Sequence, residues 1–225
     1  MIAVDGRVTP GDGCVSSVAV ADPFLSPAAL RQPATTFGPR AQRTVARILD
    51  ATREVFLDRG YAGTTVDEIA RVADVSRASF YTYFPSKREV LLAVGETAAS
   101  ESLAVMERLA EAGSTRAGLR AWVDEYFAVL DVHGAFAFAW TQAAQEDDEI
   151  RAAGMKRHLG MCRTFGVALA ATARRTNERP ELVGLVASSL LERSWNYCRL
   201  YSGTVAREDV VDQAAGALWA LARQR

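Results

Sequence analysis

Thr64–Lys87, TTVDEIARVADVSRASFYTYFPSK, reads as two short helices joined by a tight turn. Thr65 followed by Glu68 is a capping box, in which each side chain satisfies a backbone N–H of the other residue. Thr64 with Asp67 offers an overlapping start one residue earlier. Val66, Ile69, Ala70 and Ala73 recur at helical spacing and form an apolar stripe. The turn is Asp74-Val75-Ser76, with Val75 as an apolar plug and Ser76 as the N-cap of the next helix. That helix spans about 77–84, and Pro85 ends it because its ring cannot continue the ladder. Phe80 and Phe84 share one face and should point inward. Arg77, Ala78, Ser79, Tyr81, Thr82 and Tyr83 are left facing out.

Two outward tyrosines beside Arg, Ser and Thr suit DNA better than water. Hydroxyls and backbone N–H groups reach phosphates, an arginine forks onto guanine, and methyl-bearing groups meet thymine. Lys87 opens the following helix, where a cation opposes the helix dipole, so a phosphate contact accounts for it better. The plain alternative is a helical hairpin whose tyrosines lie flat on a neighbour.

Residues 43–95 resemble the DNA-binding domain of the TetR family of bacterial transcriptional regulators. The resemblance rests on RILDATREVFLDRGYAGTTVDEIA and ADVSRASFYTYFPSKREVLLAV, with Gly60-Tyr61, Thr64-Thr65, the FYTYF run at 80–84 and Lys87. Asp74 departs from the glycine often found in that turn, but Asp tolerates the left-handed conformation. FYTYFPSK and WNYCRLYSG are more weakly similar to the actinobacterial ethionamide-resistance regulator group. The resemblance implies roles by position. Thr64, Thr65, Tyr83 and Lys87 would hold phosphates, and Arg77, Ala78, Ser79 and Tyr81 would lie nearest base edges. Ser76, Thr82 and Arg43 complete the expected DNA-binding set. The implied fold is all-α, a nine-helix regulator. Its parts are an arm over 1–39, a three-helix helix-turn-helix domain over 40–86, and a helical ligand-binding and dimerisation domain over 87–225.

The first helix, about 42–59, is supported independently by Val45, Ile48, Leu49, Thr52, Val55 and Phe56, with Gly60 as its stop. Arg40, Arg43 and Arg47 crowd its N-terminal end, either as solvated charge or as contacts to a DNA backbone. Of 225 residues, 49% are hydrophobic, which suffices for a helical core. The net charge is −1, and residues 40–95 hold nine basic against seven acidic residues, so a phosphate-facing patch must be local. Cys14, Cys162 and Cys198 are too dispersed for a disulfide framework or a zinc site. No long apolar run suggests a membrane span and no signal peptide is evident, so a cytoplasmic protein is expected. Residues 1–39 hold five of seven prolines without a helical period and read as a flexible arm.

Downstream, helices are expected over about 86–111, 114–132, 135–145 and 146–176, then 180–202 and 207–223, with His133-Gly134 as an interruption. Their aromatic residues point either to a packed core or to an apolar cavity. The resemblance implies the second, an elongated pocket touched by Trp122, Tyr126, Phe127, Phe136, Trp140 and Trp195. Asn196 would orient the ligand there, or else lie on the surface. The effector would be a lipophilic or aromatic small molecule. The acidic run 146–149 suits a helix N-terminus better than a metal, and His133 and His158 read as structural. No nucleophile–base set suggests catalysis, so neither enzyme activity nor a cofactor is expected. Helices eight and nine, rich in Leu, Val and Ala, would pair with those of a second copy. The homodimer would meet an inverted-repeat operator in double-stranded DNA, as a repressor released by its ligand. The alternatives are an activator, or a small-molecule binding protein of the same fold without operator recognition.

Overall fold

The computed structural model describes residues 38–224. The arm expected over 1–39 lies outside the described residues except for Gly38 and Pro39, and Pro39 already begins the first helix. The order is α1 (Pro39–Arg59), α2 (Val66–Val72), α3 (Arg77–Tyr83), α4 (Lys87–Ala112), α5 (Arg116–Glu146), α6 (Asp148–Thr172), α7 (Pro180–Leu200) and α8 (Arg207–Leu221). The fold is all-α, with eight helices among the described residues where the sequence suggested nine.

The difference lies at His133-Gly134. Glycine in a helix costs about 1 kcal/mol relative to alanine, which is why it reads as a break. Here α5 runs straight through, because the edge of the Trp195 indole occupies the space a Cβ of Gly134 would fill. Tertiary packing overrides local propensity at that point. The expected eighth and ninth helices are therefore α7 and α8.

Side-chain caps set most of the other boundaries. Ser86 caps α4 by accepting from Glu89 N–H, Thr115 caps α5 by accepting from Gly118 N–H, and Asp147 caps α6 by accepting from Glu149 and Ile150 N–H. Pro180 starts α7 at a position where its missing N–H costs nothing.

Three apolar clusters organise the molecule. One joins α1, α2, α3 and the start of α4 through Ile48, Ile69, Phe80, Phe84 and Val90. The largest lies among α4–α8 around Leu109, Trp122, Phe127, Phe165, Leu191 and Leu218. A small third cluster (Phe56, Leu91, Ala139, Ala143 and Ile150) sits between the other two and fastens the α1–α3 head to the body.

Candidate nucleic-acid interface

The head presents α3 on a rigid base. Thr65 Oγ1 accepts from Glu68 N–H at 3.2 Å while Thr65 N–H donates to Glu68 Oε2 at 3.2 Å, so the capping box is complete. Asp74 adopts the left-handed conformation, φ 50°, which asparagine and aspartate tolerate better than other side chains. Arg47 secures the turn from α1, donating through Nη2 to the Asp74 carbonyl at 2.6 Å and to its carboxylate at 2.8 Å. Ser76 Oγ then accepts from Ser79 N–H at 3.0 Å and starts α3. Phe80 and Phe84 lie inside, so the helix is clamped by one aromatic edge.

The opposite face of α3 is open. Arg77, Ala78, Tyr81 and Thr82 are exposed, as are Ser76, Thr65 and Arg43, while Ser79 and Tyr83 are half-buried. Tyr83 also packs against the head cluster. Thr82 Oγ1 donates to the Ala78 carbonyl at 3.0 Å, within its own helix.

Two expected phosphate contacts stand elsewhere. Thr64 is only 2% exposed, and its hydroxyl donates to the Gly60 carbonyl at 2.6 Å. Lys87 turns inward as well. Its Nζ donates to the Tyr61 carbonyl at 2.7 Å and the Thr64 carbonyl at 2.9 Å, and it lies 4.2 Å from the centre of the Tyr61 ring. These carbonyls sit in the α1–α2 loop, so the ammonium ties that loop to the start of α4. Desolvation pushes the Lys87 pKa down from its ordinary value and raises that of the Tyr61 phenol. A cation at a helix N-terminus is thus explained by internal carbonyls. Nothing in the local sequence distinguishes that partner from a phosphate.

Sequence reasoning also missed three supporting residues. Asp67 receives Arg77 Nη1 on both carboxylate oxygens at 2.5 Å. Arg47 serves the turn instead of remaining solvated. Gln142, far along α5, accepts from Tyr61 N–H at 2.7 Å and Ala62 N–H at 3.3 Å, bonding the body to the head.

The expected ligand pocket is not open. Trp122 is 1% exposed, donates through Nε1 to the Val105 carbonyl at 2.8 Å, and stacks on Tyr126 at 5.3 Å between ring centres. Phe127 is buried beneath the Arg207 guanidinium. Trp195 donates to Asp131 Oδ1 at 2.7 Å, and Asn196 is buried, not on the surface. Phe136 rests on Gly95 and Trp140 on Gly154, each where a Cβ would otherwise stand. The aromatic side chains fill the space between the helices themselves, using neighbouring glycines as sockets. Two depressions among the described residues lie beside Arg47 and Asp74 and beside Arg175 and Leu221, away from these rings. Polar groups remain inside this packing. Trp140 Nε1 is buried without a hydrogen bond. Glu101 Oε2 lies 2.9 Å from His133 Nε2, yet neither ring nitrogen of His133 makes an aligned bond. His158 beside Trp140 has its pKa lowered by burial. No helix among the described residues is long and apolar enough to cross a membrane.

Residues 48–94 match the family model described as bacterial regulatory proteins, tetR family. The chain is 37% identical over 94 residues to the HTH-type transcriptional activator FasR of Mycolicibacterium smegmatis, covering 41% of this chain and 42% of that one. It is 30% identical over 123 residues to the HTH-type transcriptional regulator EthR of Mycobacterium tuberculosis, covering 50% and 57%. The chain spans between 25% and 57% of the length of the curated relatives it matches. Among solved structures, the TetR family regulator PfmR from Thermus thermophilus superposes with a TM-score of 0.61 at 20% identity, over 77% of this chain and 97% of that one. The likeness to solved structures extends the same fold through α4–α8.

Proposed function

We propose that this chain, a member of the TetR family of bacterial regulators, is a homodimeric, sequence-specific DNA-binding transcriptional regulator that responds to a lipophilic or aromatic small molecule. The observation that carries the DNA-binding reading is α3 itself: Phe80 and Phe84 anchor it, while Arg77, Ala78, Tyr81 and Thr82 are exposed on the face that would enter a major groove. Arg43 and Thr65 lie exposed nearby and suit phosphates. Residues 40–86 act as the reading domain, and residues 87–225 as the domain that dimerises and binds the effector.

The dimer reading is supported by apolar surface on α7 and α8. Leu182, Val186, Tyr197 and Leu200 are exposed on α7, with Val186 at 59% and Leu200 at 56%. Gly216, Ala217 and Ala220 form a small-residue stripe on α8 that would allow close helix approach. A two-fold pair of heads calls for an inverted-repeat operator. Val186→Asp should dissociate the dimer in a sedimentation experiment and weaken operator binding with it; a dimer unchanged by that substitution places the interface elsewhere.

The effector reading is supported by Trp140 Nε1 and His133 Nδ1, buried without a hydrogen bond among rings seated on glycines. A ligand that satisfied those groups would have to displace rings and so move α5 and α6 against α4. It shifts the equilibrium only by its differential affinity for the two arrangements. Repression is the primary reading; similarity to the activator FasR favours activation as the second. The test is fluorescence anisotropy of the full chain on DNA upstream of its own gene, with random duplex as competitor. Binding that survives competition and falls when an aromatic lipophile is added supports the reading. Weak, strongly salt-dependent binding throughout defeats operator recognition. A reporter placed behind the bound segment gives the sign of control.

A further inference from the structure

Arg77 opens α3 and Asp67 stands in the first turn of α2, and the two side chains meet in front of the turn between the helices. Arg77 Nη1 donates to both Asp67 oxygens at 2.5 Å, Nη2 lies 3.4 Å from the Tyr81 hydroxyl, and the guanidinium carbon is 5.5 Å from the Tyr81 ring centre. The Arg77 and Asp67 side chains are 60% and 62% exposed. An ion pair that open contributes little to stability. Nor does α2 need Asp67 for its cap, which Thr65 and Glu68 already complete.

A carboxylate on the face that approaches DNA repels phosphates, so Asp67 weakens binding unless its charge stays matched. Arginine carries five N–H donors in a fixed plane. Asp67 takes Nη1 and the Tyr81 hydroxyl lies 3.4 Å from Nη2, which leaves Nε and the second Nη2 N–H for another partner. Such donors match the two acceptors on the major-groove edge of guanine, N7 and O6. Tyr81 flanks the guanidinium on the side toward the middle of α3 and limits its swing.

We propose that Asp67 is a specificity-determining positioning residue, which holds Arg77 against Tyr81 in a pose that reads guanine and keeps that arginine off the phosphate backbone. This rests on the DNA-binding reading of α3 given above. Asp67 trades total affinity for discrimination: it lowers binding to any duplex and raises the ratio between the right one and the wrong one.

The experiment takes the full chain and its Asp67→Asn, Arg77→Lys and doubly substituted forms through selection on a randomised duplex library. Anisotropy then follows on the selected duplex and on a scrambled one at several salt concentrations. The unsubstituted chain is expected to enrich guanine at one position of each half-site. Asp67→Asn should keep the rest of the selected sequence, lose about tenfold in preference at that guanine, and bind the scrambled duplex several-fold more tightly. Its salt slope should steepen by about 0.9, as one arginine becomes free for a phosphate. Arg77→Lys keeps the charge but not the fork. It should lose the same preference, and adding Asp67→Asn to it should change the preference no further. Helical melts of each form show that the head is folded, and Arg77→Lys tests the same point should Asp67→Asn fail to fold. Full retention of the guanine preference in Asp67→Asn overturns the proposal, as does an effect of Asp67→Asn that persists in the Arg77→Lys background. An unsubstituted chain that selects a sequence without that guanine also overturns it, leaving the DNA-binding reading intact. A chain that selects no sequence at all overturns both.

Discussion

The head and the body hold their helices by different means. In residues 39–86, directed hydrogen bonds fix each turn: the Thr65–Glu68 box, Ser76 on Ser79 N–H, Arg47 on Asp74, and Lys87 on two loop carbonyls. Arg53 leaves its Nε buried and unbonded, yet Nη1 of the same side chain reaches Asp50 at 2.6 Å. In α4–α8, large rings sit on glycines, and Trp140 and His133 keep buried nitrogens without aligned partners. Directed bonds hold one geometry and fail when it is lost, which suits the groove-reading role proposed for the head. Ring packing is less directional, which suits the rearrangement proposed for the body.

The largest expected effect tests the head. Lys87→Met removes the ammonium, which leaves the Thr64 carbonyl without its donor and the Tyr61 carbonyl with only the Thr64 N–H at 3.3 Å. This should cost about 2–3 kcal/mol by denaturant titration, with DNA binding lost through disorder of the α1–α2 loop. The salt slope of whatever binding remains should not change. If stability holds and the slope falls by about 0.9, the amine sits on a phosphate and the head is held less tightly than its internal bonds imply.

Lys87 also marks what could be read from the chain. Thr65, Ser76, Phe80, Phe84 and the left-handed Asp74 were legible because each rule involves residues within one or two turns. Lys87 was visible as an anomaly, but its acceptor at Tyr61 lies 26 residues away and its other surroundings were unknowable from spacing. Thr64 likewise looked like a surface hydroxyl until Gly60 was brought above it. In the body, the aromatic residues were recognisable as a set. That they fill one another's space depends on Gly95, Gly134 and Gly154, residues that in sequence look like breaks or like nothing at all.

Three substitutions sharpen the account of the body. Glu192 on α7 lies near Tyr126 and Cys162, and burial raises its carboxyl pKa to about 7. Between roughly pH 4.3, the ordinary glutamate value, and about 7, the folded protein holds a proton that the unfolded chain has lost. Stability therefore falls as pH rises through that window. Glu192→Gln should match the unsubstituted chain near pH 4 and exceed it by about 1–3 kcal/mol at pH 8. Equal stabilities at both pH values would show Glu192 solvated, and the body looser there than its packing implies. Gly134→Ala should cost about 1–2 kcal/mol despite the better helix propensity of alanine, because the new Cβ would stand closer to the edge of the Trp195 ring than van der Waals contact allows. Gly160 on the same kind of helix has open space where its Cβ would be, so Gly160→Ala should stabilise by up to about 1 kcal/mol. Thermal unfolding of both separates socket from spacer. A neutral Gly134→Ala would mean that the rings repack freely.

The smallest effect bears on how the two regions communicate. Gln142 lies near the C-terminal end of the long α5, and its side-chain oxygen accepts from both Tyr61 and Ala62 N–H, the same loop that Lys87 grips through its carbonyls. Arg88 adds an ion pair to Glu149 at 2.6 Å at the neighbouring start of α6. A shift of α5 would therefore reach the α1–α2 loop through this contact, as well as along α4. Gln142→Ala should lower global stability by only about 1 kcal/mol, since the two amides can turn to water. Amide exchange should nevertheless speed up at Tyr61 and Ala62 while the amides of α3 stay protected. That pattern makes the head a self-sufficient reader attached to the body through a loop. Faster exchange in α3 as well would mean that the reading helix itself leans on α5, and the division between a head fixed by its own bonds and an adaptable body would fail at this one side chain.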